Sequence, residues 1–254
     1  MKTSNYITSP KNKLRRDVKK FITFIILAEN HGYRMKSHGP IPLLKMGKTT
    51  LLEKQINIIK SCFLNYEIII CTGFKAEKLN FFINKNIKEN VRIVENQIHN
   101  NTNCCESVRL CLNNTRNSSI FIQRADTLFY SENYLSIDYK ENSIMTQDSH
   151  GISKFETSSI ENNRNLQSLC LGLKNNFWVE NLYLNDRISI NNFSNIISSV
   201  DFKTKFLFEA INDFCEKNTV KVYKNSQTEI VKYNNIKTLK GTTYENTNSK
   251  LQHH

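Results

Sequence analysis

The stretch FITFIILAENHGYRMKSHGPIPLLKMGKTTLLEKQINII, residues 21–59, decides the fold class of this chain. Residues 21–28 are almost all apolar, as in a central parallel strand that is buried on both faces. A polar loop follows, which contains three of the chain's seven glycines and two of its three prolines. Residues 49–63 then place leucine and isoleucine at helical spacing. The stretch predicts a buried strand, a tight loop and an amphipathic helix.

The same alternation continues after this stretch. Buried strands are predicted at 66–74, 91–96 and 118–126, and helices at 75–86 and 104–114 lie between them. Strands and helices that alternate with short connections favour a parallel sheet with right-handed crossovers. The predicted fold class is therefore α/β, with a Rossmann-like, doubly wound and mainly parallel sheet.

The second half of the chain is less regular. Residues 193–218 predict one or two helices, and residues 219–224 and 228–233 predict a closing pair of strands. Other segments predict strands of a small antiparallel extension: 143–147, 152–157 and 166–174.

Bulk composition indicates one globular unit. The chain has 254 residues, of which 39% are hydrophobic, so it can bury a sizeable core. We expect a single domain at 21–245, a basic arm at 1–20, and a tail at 246–254 whose last two histidines fit the remnant of an affinity tag. No apolar run approaches the ~20 residues that span a bilayer, and the first residues are unlike a signal peptide. Seven cysteines without a CxxC pair predict reduced thiols, so we expect a cytoplasmic protein that does not associate with membranes.

The net charge of +12 is unevenly distributed. Residues 1–20 hold seven lysines and arginines against Asp17 alone, which accounts for half of the excess. The other half is spread over the remaining residues without a dense stripe. A basic arm suits RNA, DNA or an acidic partner, and a solvated tail without a partner fits the same sequence.

The loop after the first strand is the first candidate binding site. In an open parallel sheet, ligands bind beyond the carboxyl ends of the strands. Loop N–H groups there suit phosphate oxygens. Gly32 allows a phosphate to approach the backbone closely, and Arg34 adds a forked, permanently charged donor. A plain strand-to-helix turn with a surface arginine fits the same spacing.

Four landmarks within residues 21–130 carry a family resemblance. The first covers the opening stretch, the second is CTGF with Glu77, and the third is NNTNCCESVRLCL. The fourth is FIQRADTLF, which contains Asp126. Together they resemble the sugar-phosphate nucleotidyltransferase family, the MobA-like and GT-A-like NTP transferases. The opening stretch matches the family pattern at these positions: Leu27, Ala28, Gly32, Arg34, Met35, Pro40, Leu43, Gly47, Lys48, Leu51, Leu52 and Gln55.

The resemblance implies a reaction and a set of site residues. In the family a nucleoside triphosphate binds the loop, a strand-end aspartate holds Mg²⁺, and an acceptor phosphate attacks the α-phosphorus and releases pyrophosphate. Carried over, Arg34 and Asp126 are the catalytic residues, and Asp126 with Asn234 holds the metal. Asp126 also fits a strand-end turn residue, and Asn103 with Ser107 also fits a helix N-cap pair. The implied nucleotide-binding residues are Leu27, Ala28, Gly32, Arg34, Gly73, Asn103 and Ser107.

Several positions depart from the family pattern. Glu29 and Asn30 stand where the family has Ala-Gly, and Ile41 replaces a lysine that offsets triphosphate charge. Asn234 and Thr238 stand where the family has acidic residues late in the chain. An amide oxygen can bind Mg²⁺ but brings no negative charge, so the pattern predicts a weakened site.

Three hypotheses follow. The first, which we favour, is a Mg²⁺-dependent nucleotidyltransferase that uses an NTP and a phosphorylated sugar or similar small acceptor. The second is a catalytically weakened protein that binds a nucleotide or nucleotide-sugar, or acts as a structural partner. The third is a nucleic-acid-binding protein that uses its basic arm. The nucleotide, the acceptor and the oligomeric state stay open.

Overall fold

The computed structural model describes residues 20–30, 39–148, 156–226 and 228–234. Residues 1–19 of the expected arm and the whole expected tail lie outside these ranges. The helices are α1 (Leu51–Cys62), α2 (Ala76–Asn86), α3 (Cys104–Leu112), α4 (Ser131–Leu135), α5 (Arg187–Ile197) and α6 (Leu207–Cys215). Short 3-10 helices cover Ile41–Leu43 and Val200–Thr204. The strands are β1 (Ile22–Leu27), β2 (Lys45–Met46), β3 (Thr49–Thr50), β4 (Tyr66–Thr72), β5 (Val91–Glu95), β6 (Ile120–Arg124), β7 (Thr127–Leu128), β8 (Ser143–Gln147), β9 (Thr157–Asn162), β10 (Asn165–Leu171), β11 (Phe177–Trp178), β12 (Leu182–Leu184), β13 (Lys221–Asn225) and β14 (Val231–Lys232).

Ten of these strands form one mixed sheet in the order β11-β9-β10-β13-β8-β12-β6-β1-β4-β5. Strand β1 pairs in parallel with β4 and β6, and β4 pairs in parallel with β5. Strand β12 lies antiparallel between β6 and β8, and β9, β10 and β11 form the antiparallel part. The predicted fold class, a mainly parallel α/β sheet with an antiparallel extension, is confirmed.

Hydrophobic cores cover both faces of the sheet. In β1, Ile25 and Leu27 join the core beneath α3, α5 and α6, whereas Phe24 and Ile26 join the core beneath α1 and α2. All four side chains are buried. Successive side chains of a strand point to opposite faces, so a strand covered on both faces must be apolar throughout.

Helix α1 is tied to the sheet by polar contacts as well as by packing. It begins with a capping box, in which the Thr50 side chain accepts a hydrogen bond from the Glu53 N–H and Glu53 accepts from the Thr50 N–H. One turn later, Gln55 is fully buried. Its Nε2 atom donates to the carbonyl oxygens of Arg124 (3.2 Å) and Thr127 (2.7 Å). The helix therefore holds the turn that follows β6.

The predicted closing strand pair is wrong. Strand β13 pairs in parallel with β8 over five residues and also contacts β10, whereas β14 pairs with β7. Proximity along the chain favoured pairing the two strands with each other, but the backbone of β13 is paired inside the large sheet instead. The two helices allowed at 193–218 are both present, although α5 begins earlier, after the N-cap Asp186. Residues 152–155 of another predicted strand lie outside the described residues, and β9 begins at Thr157.

Candidate functional site

The carboxyl ends of β1 and β6 lie side by side. Leu27 pairs with Arg124 in the parallel register, and the Ala125 N–H donates to the Leu27 carbonyl oxygen at 2.9 Å. The residues that follow each strand, Glu29 and Asp126, therefore leave the sheet at the same edge. The structure thus places Asp126 at the strand-end position that the sequence predicted.

Strand β14, which comes late in the sequence, lies at the same edge of the sheet. The Tyr233 N–H donates to the Asp126 carbonyl oxygen at 2.7 Å, and Lys232 pairs with Thr127. Because side chains alternate along an extended chain, Lys232 and Asn234 share the face opposite Tyr233, whose side chain is buried. Both residues line the cavity described next.

A cavity of about 560 Å³ opens at this edge. Four residues predicted from the sequence line it: Leu27, Asn103, Asp126 and Asn234. Its other walls come from β10, β11 and the start of α6, including Trp178 and the stacked rings of Phe206 and Phe208. Gly32 and Arg34 lie outside the described residues, so their predicted roles stay predictions.

The remaining predicted residues have structural contacts of their own. Asn103 is the N-cap of α3 and accepts from the Cys104 N–H at 2.9 Å. Ser107 is fully buried, and its hydroxyl accepts from Asn96 Nδ2 at 3.0 Å. Gly73 packs against the end of β1, where an added Cβ would lie 2.9 Å from the Glu29 carbonyl oxygen. Ala28 is buried in the core beneath α1. Ser107, Gly73 and Ala28 are not among the residues that line the cavity.

A network of charges lines the cavity, in which Asp126 and Lys232 are buried and Arg124 and Glu180 are partly buried. The Arg124 Nε atom lies 3.1 Å from Asp126 Oδ1 and 3.0 Å from Glu180 Oε2. The Lys232 ammonium pairs with the other oxygen of Glu180. Glu180 has a φ of 58°, a left-handed conformation that is uncommon for residues other than glycine. Asp126, Arg124, Glu180 and Lys232 thus form a continuous chain of ion pairs, in that order.

Asp126 is ionised within this network. Burial opposes its ionisation, but the Arg124 guanidinium and the Lys232 ammonium outweigh burial and lower the pKa of the carboxyl below its ordinary value. Burial opposes the charge of Arg124, but the carboxylates of Asp126, Glu180 and Glu29 outweigh burial and raise the pKa of the guanidinium. Asp126 and Arg124 therefore stay charged at neutral pH.

The Glu29 carboxyl is buried beside Arg124 and Asp126 of the network. Its side chain is 4% exposed, and neither carboxylate oxygen has a hydrogen-bond partner among the described residues. Burial raises the pKa of the Glu29 carboxyl, and the Arg124 guanidinium partly offsets this effect. A buried acidic group therefore stands where the resembled loop has alanine, next to Asn30 at the position of the family's glycine.

The side chains do not fit a magnesium ion in this arrangement. Both oxygens of Asp126 already accept hydrogen bonds, from Arg124 Nε, Arg124 Nη2 and Thr127 Oγ1. The second predicted ligand, Asn234, is uncharged, whereas Mg²⁺ sites are built on carboxylates. Within the described ranges, no group of three histidine, cysteine or acidic side chains could hold a metal. Magnesium therefore stays a prediction that rests on the resemblance.

Sequence reasoning missed Arg124, Glu180 and Lys232. Arg124 ends a strand that is otherwise buried, and Lys232 lies within an extended apolar segment. A basic residue in such a segment is unusual, so the sequence could have indicated that both residues belong to a charged site. Glu180 carried no comparable signal, because its place depends on the turn between β11 and β12.

Comparison with solved structures identifies the fold of the chain. No protein-family model matches the chain, and no curated protein matches it. A solved CTP:phosphocholine cytidylyltransferase from Streptococcus pneumoniae is 18% identical, with a TM-score of 0.71 over 87% of this chain and 97% of that one. The chain has the nucleotidyltransferase fold. The resemblance drawn from the sequence is thereby confirmed at the level of the fold.

Other solved structures share this nucleotidyltransferase fold. An inositol-1-phosphate CTP transferase from T. maritima is 14% identical, with a TM-score of 0.73 over 89% of this chain and 94% of that one. A UDP-glucose pyrophosphorylase complexed with UDP-glucose is 11% identical, with a TM-score of 0.70 over 90% and 99% of the two chains. At these identities the shared feature is the fold.

Proposed function

We propose that this protein is a nucleotidyltransferase, which transfers a nucleotidyl group from an NTP to a phosphorylated sugar or similar small acceptor. The observation that carries the proposal is the cavity at the carboxyl ends of β1 and β6, which is lined by Leu27, Asn103, Asp126 and Asn234. In a parallel sheet this edge is where ligands bind. Proteins that share the fold include transferases and pyrophosphorylases of this reaction class.

The proposed reaction is an in-line displacement. An oxygen of the acceptor phosphate forms a bond to the α-phosphorus, the bond from that phosphorus to the bridging oxygen breaks, and its electron pair leaves with pyrophosphate. Because nucleophile and electrophile are both anionic, the protein must neutralise charge and position the two groups. Gly32, Arg34 and Asn103 are proposed to bind the nucleotide, and the charged floor around Asp126 lies beneath the phosphates.

A second candidate is a protein that binds a nucleotide or nucleotide-sugar without turnover. It is favoured by two observations: Asp126 is engaged by Arg124, and the position of the family lysine is taken by Ile41. Ile41 is buried in a small apolar cluster with Leu44 and Tyr233. It therefore supplies no charge to the cavity.

The location of the protein is part of the proposal. In the part of the chain that the structure describes, no helix is long and apolar enough to cross a membrane. All seven cysteines are free thiols. Free thiols are typical of a reducing compartment, and we propose that the protein acts in the cytoplasm.

Pyrophosphate release tests the proposal. The purified protein is mixed with each of the four common NTPs and a panel of phosphorylated acceptors, such as sugar 1-phosphates, inositol phosphate and phosphocholine. We expect acceptor-dependent release that Asp126→Ala reduces at least tenfold and that Asp213→Ala, a change at an exposed aspartate of α6, leaves unchanged. Nucleotide binding without release under any combination would support the second candidate instead.

A further inference from the structure

Building on the proposed function, we infer that Arg124 and Lys232 together take the place of a divalent metal in this cavity. They neutralise the phosphates of the bound nucleotide, and the protein binds its nucleotide without a metal ion. The inference follows from the poor fit of the side chains to magnesium and from the position of the two cations.

The two cations lie beside the two residues that were predicted as metal ligands. Arg124 contacts Asp126, with Nε 3.1 Å from Oδ1. Lys232 lies two residues before Asn234 on the same face of the chain, and both line the cavity with Arg124 and Asp126. The cationic groups of the site are thus two side chains, paired with two carboxylates, at the place where the resemblance implies a metal ion.

Glu180 holds both cations in place. One of its oxygens lies 3.0 Å from Arg124 Nε and the other pairs with Lys232. The φ of 58° at Glu180 is a strained conformation, which persists only when surrounding contacts impose it. Cations that Glu180 already holds lose little freedom when a phosphate binds, so they are preorganised as a bound ion would be.

Arg124 keeps donors available for a ligand. A guanidinium has five N–H donors in a planar fork, and the contacts with Asp126 and Glu180 engage Nε and Nη2. Among the described residues, no hydrogen bond involves Nη1. The remaining donors of this cavity-lining residue suit phosphate oxygens, which arginine binds in a bidentate manner.

Calorimetric titration tests the inference. Wild-type protein is titrated with ATP, CTP, GTP, UTP and inorganic pyrophosphate, once in excess EDTA and once in excess Mg²⁺. We expect at least one nucleotide to bind in EDTA with a Kd within about threefold of its value in Mg²⁺. Binding of nucleotide only when Mg²⁺ is present would overturn the inference and leave the proposed function standing. Absence of binding to every probe in both conditions would overturn both.

Variants of Lys232 separate charge from structure. Lys232→Met removes one cation, and we expect it to weaken nucleotide binding in EDTA at least about tenfold, as for loss of a hydrogen bond to a charged group. Lys232→Arg keeps the charge and should stay within about threefold of wild type. The matched control is Lys224→Met, which removes a lysine that pairs with Asp148 at 2.9 Å outside the cavity.

Circular dichroism and thermal unfolding accompany each titration. If Lys232→Met binds as tightly as Lys224→Met, the ammonium plays no part and the inference is wrong. If Lys232→Met does not fold, Lys232→Arg and the wild-type comparison between EDTA and Mg²⁺ still decide the matter. Weak binding by a folded Lys232→Arg would contradict a role for charge.

Discussion

At the scale of single residues, Arg124 has the most consequences. It ends a buried strand, lies between two carboxylates, and lines the cavity. A buried cation must be paired, because leaving it without a counter-charge costs several kcal/mol. The same pairing keeps Asp126 ionised while its oxygens accept the arginine's hydrogen bonds. One arginine thus changes a predicted metal ligand into half of an ion pair.

A double-mutant cycle measures this ion pair. Arg124→Gln leaves Asp126 and Glu180 without a shared cation, and we expect it to lower the free energy of unfolding by about 3–5 kcal/mol. Asp126→Asn removes the carboxylate that Arg124→Gln leaves without its arginine partner, whereas Glu180 keeps its pair with Lys232. Urea unfolding of the double variant should therefore show a loss smaller than the sum of the single losses by at least about 1 kcal/mol. Additive losses would mean that the two side chains do not interact in solution.

Glu29 predicts a pH dependence of stability. Its folded-state pKa is raised above the ordinary value of 4.5, so the folded protein binds this proton more tightly than the unfolded chain does. Stability should therefore fall as pH rises from about 4.5 through the folded-state pKa. Glu29→Gln removes that loss, and we expect it to stabilise the protein at pH 8 by about 1–3 kcal/mol, since a buried carboxylate no longer lacks a partner.

Urea unfolding between pH 4 and pH 8 provides the measurement for Glu29. The difference between Glu29→Gln and wild type should grow with pH in this range. Glu161→Gln, a change at an exposed carboxyl of β9, is the matched control and should follow wild type. A constant difference across the range would show that Glu29 does not titrate with a raised pKa.

At the scale of elements, α1 stabilises the turn that contains Asp126. Gln55 belongs to the helix pattern that carried the family resemblance, and in the structure its side chain forms hydrogen bonds to this turn. Its amide donates to two carbonyl oxygens in the turn that contains Asp126. The helix thereby fixes the turn through hydrogen bonds that apolar packing alone would not supply.

Gln55→Met tests this support. The substitution keeps the size of the side chain but leaves the carbonyl oxygens of Arg124 and Thr127 without this donor, so we expect a loss of about 1–3 kcal/mol in the free energy of unfolding. Gln167→Met, a change at an exposed position of β10, is the control and should cost less than about 0.5 kcal/mol. Equal effects in thermal or urea unfolding would show that Gln55 does not hold the turn.

At the scale of the whole molecule, the net charge of +12 complicates any measurement of phosphate binding. Residues 1–20 carry half of that charge, and a basic segment attracts phosphates without a specific site. The proposed cavity is built from residues that follow this segment. Attraction of nucleotide phosphates to the basic arm and their binding in the cavity therefore predict different effects when the arm is removed.

A variant that lacks residues 1–19 separates the two. We expect it to bind nucleotide within about twofold of the full chain at 150 mM salt, because Arg124 and Lys232 are retained and long-range charge attraction is largely screened at this salt concentration. Calorimetry at several salt concentrations provides the measurement. A large loss of nucleotide affinity on truncation would place the binding in the arm, as the nucleic-acid hypothesis requires.

Much of the fold was predictable because its signals are local. The apolar run before the loop predicted β1, and helical spacing predicted α1, α2 and α3 within a few residues. The predicted closing pair of strands was wrong, since β13 and β14 pair with strands that are distant in the chain. Of the predicted site residues, Leu27, Asn103, Asp126 and Asn234 line the cavity, whereas Ser107 and Gly73 take part in packing and hydrogen bonds elsewhere.

The sequence by itself determined the order of strands and helices in the first half of the chain, the edge of the sheet where we propose that a ligand binds, and the position of Asp126 at that edge. Those features follow from periodicity and from the geometry of parallel strands. Only the tertiary structure decided that Arg124, Glu180 and Lys232 meet around Asp126, because they come from three segments separated by more than fifty residues. Charge interactions depend on distance in space, and that distance is set when the whole sheet is assembled.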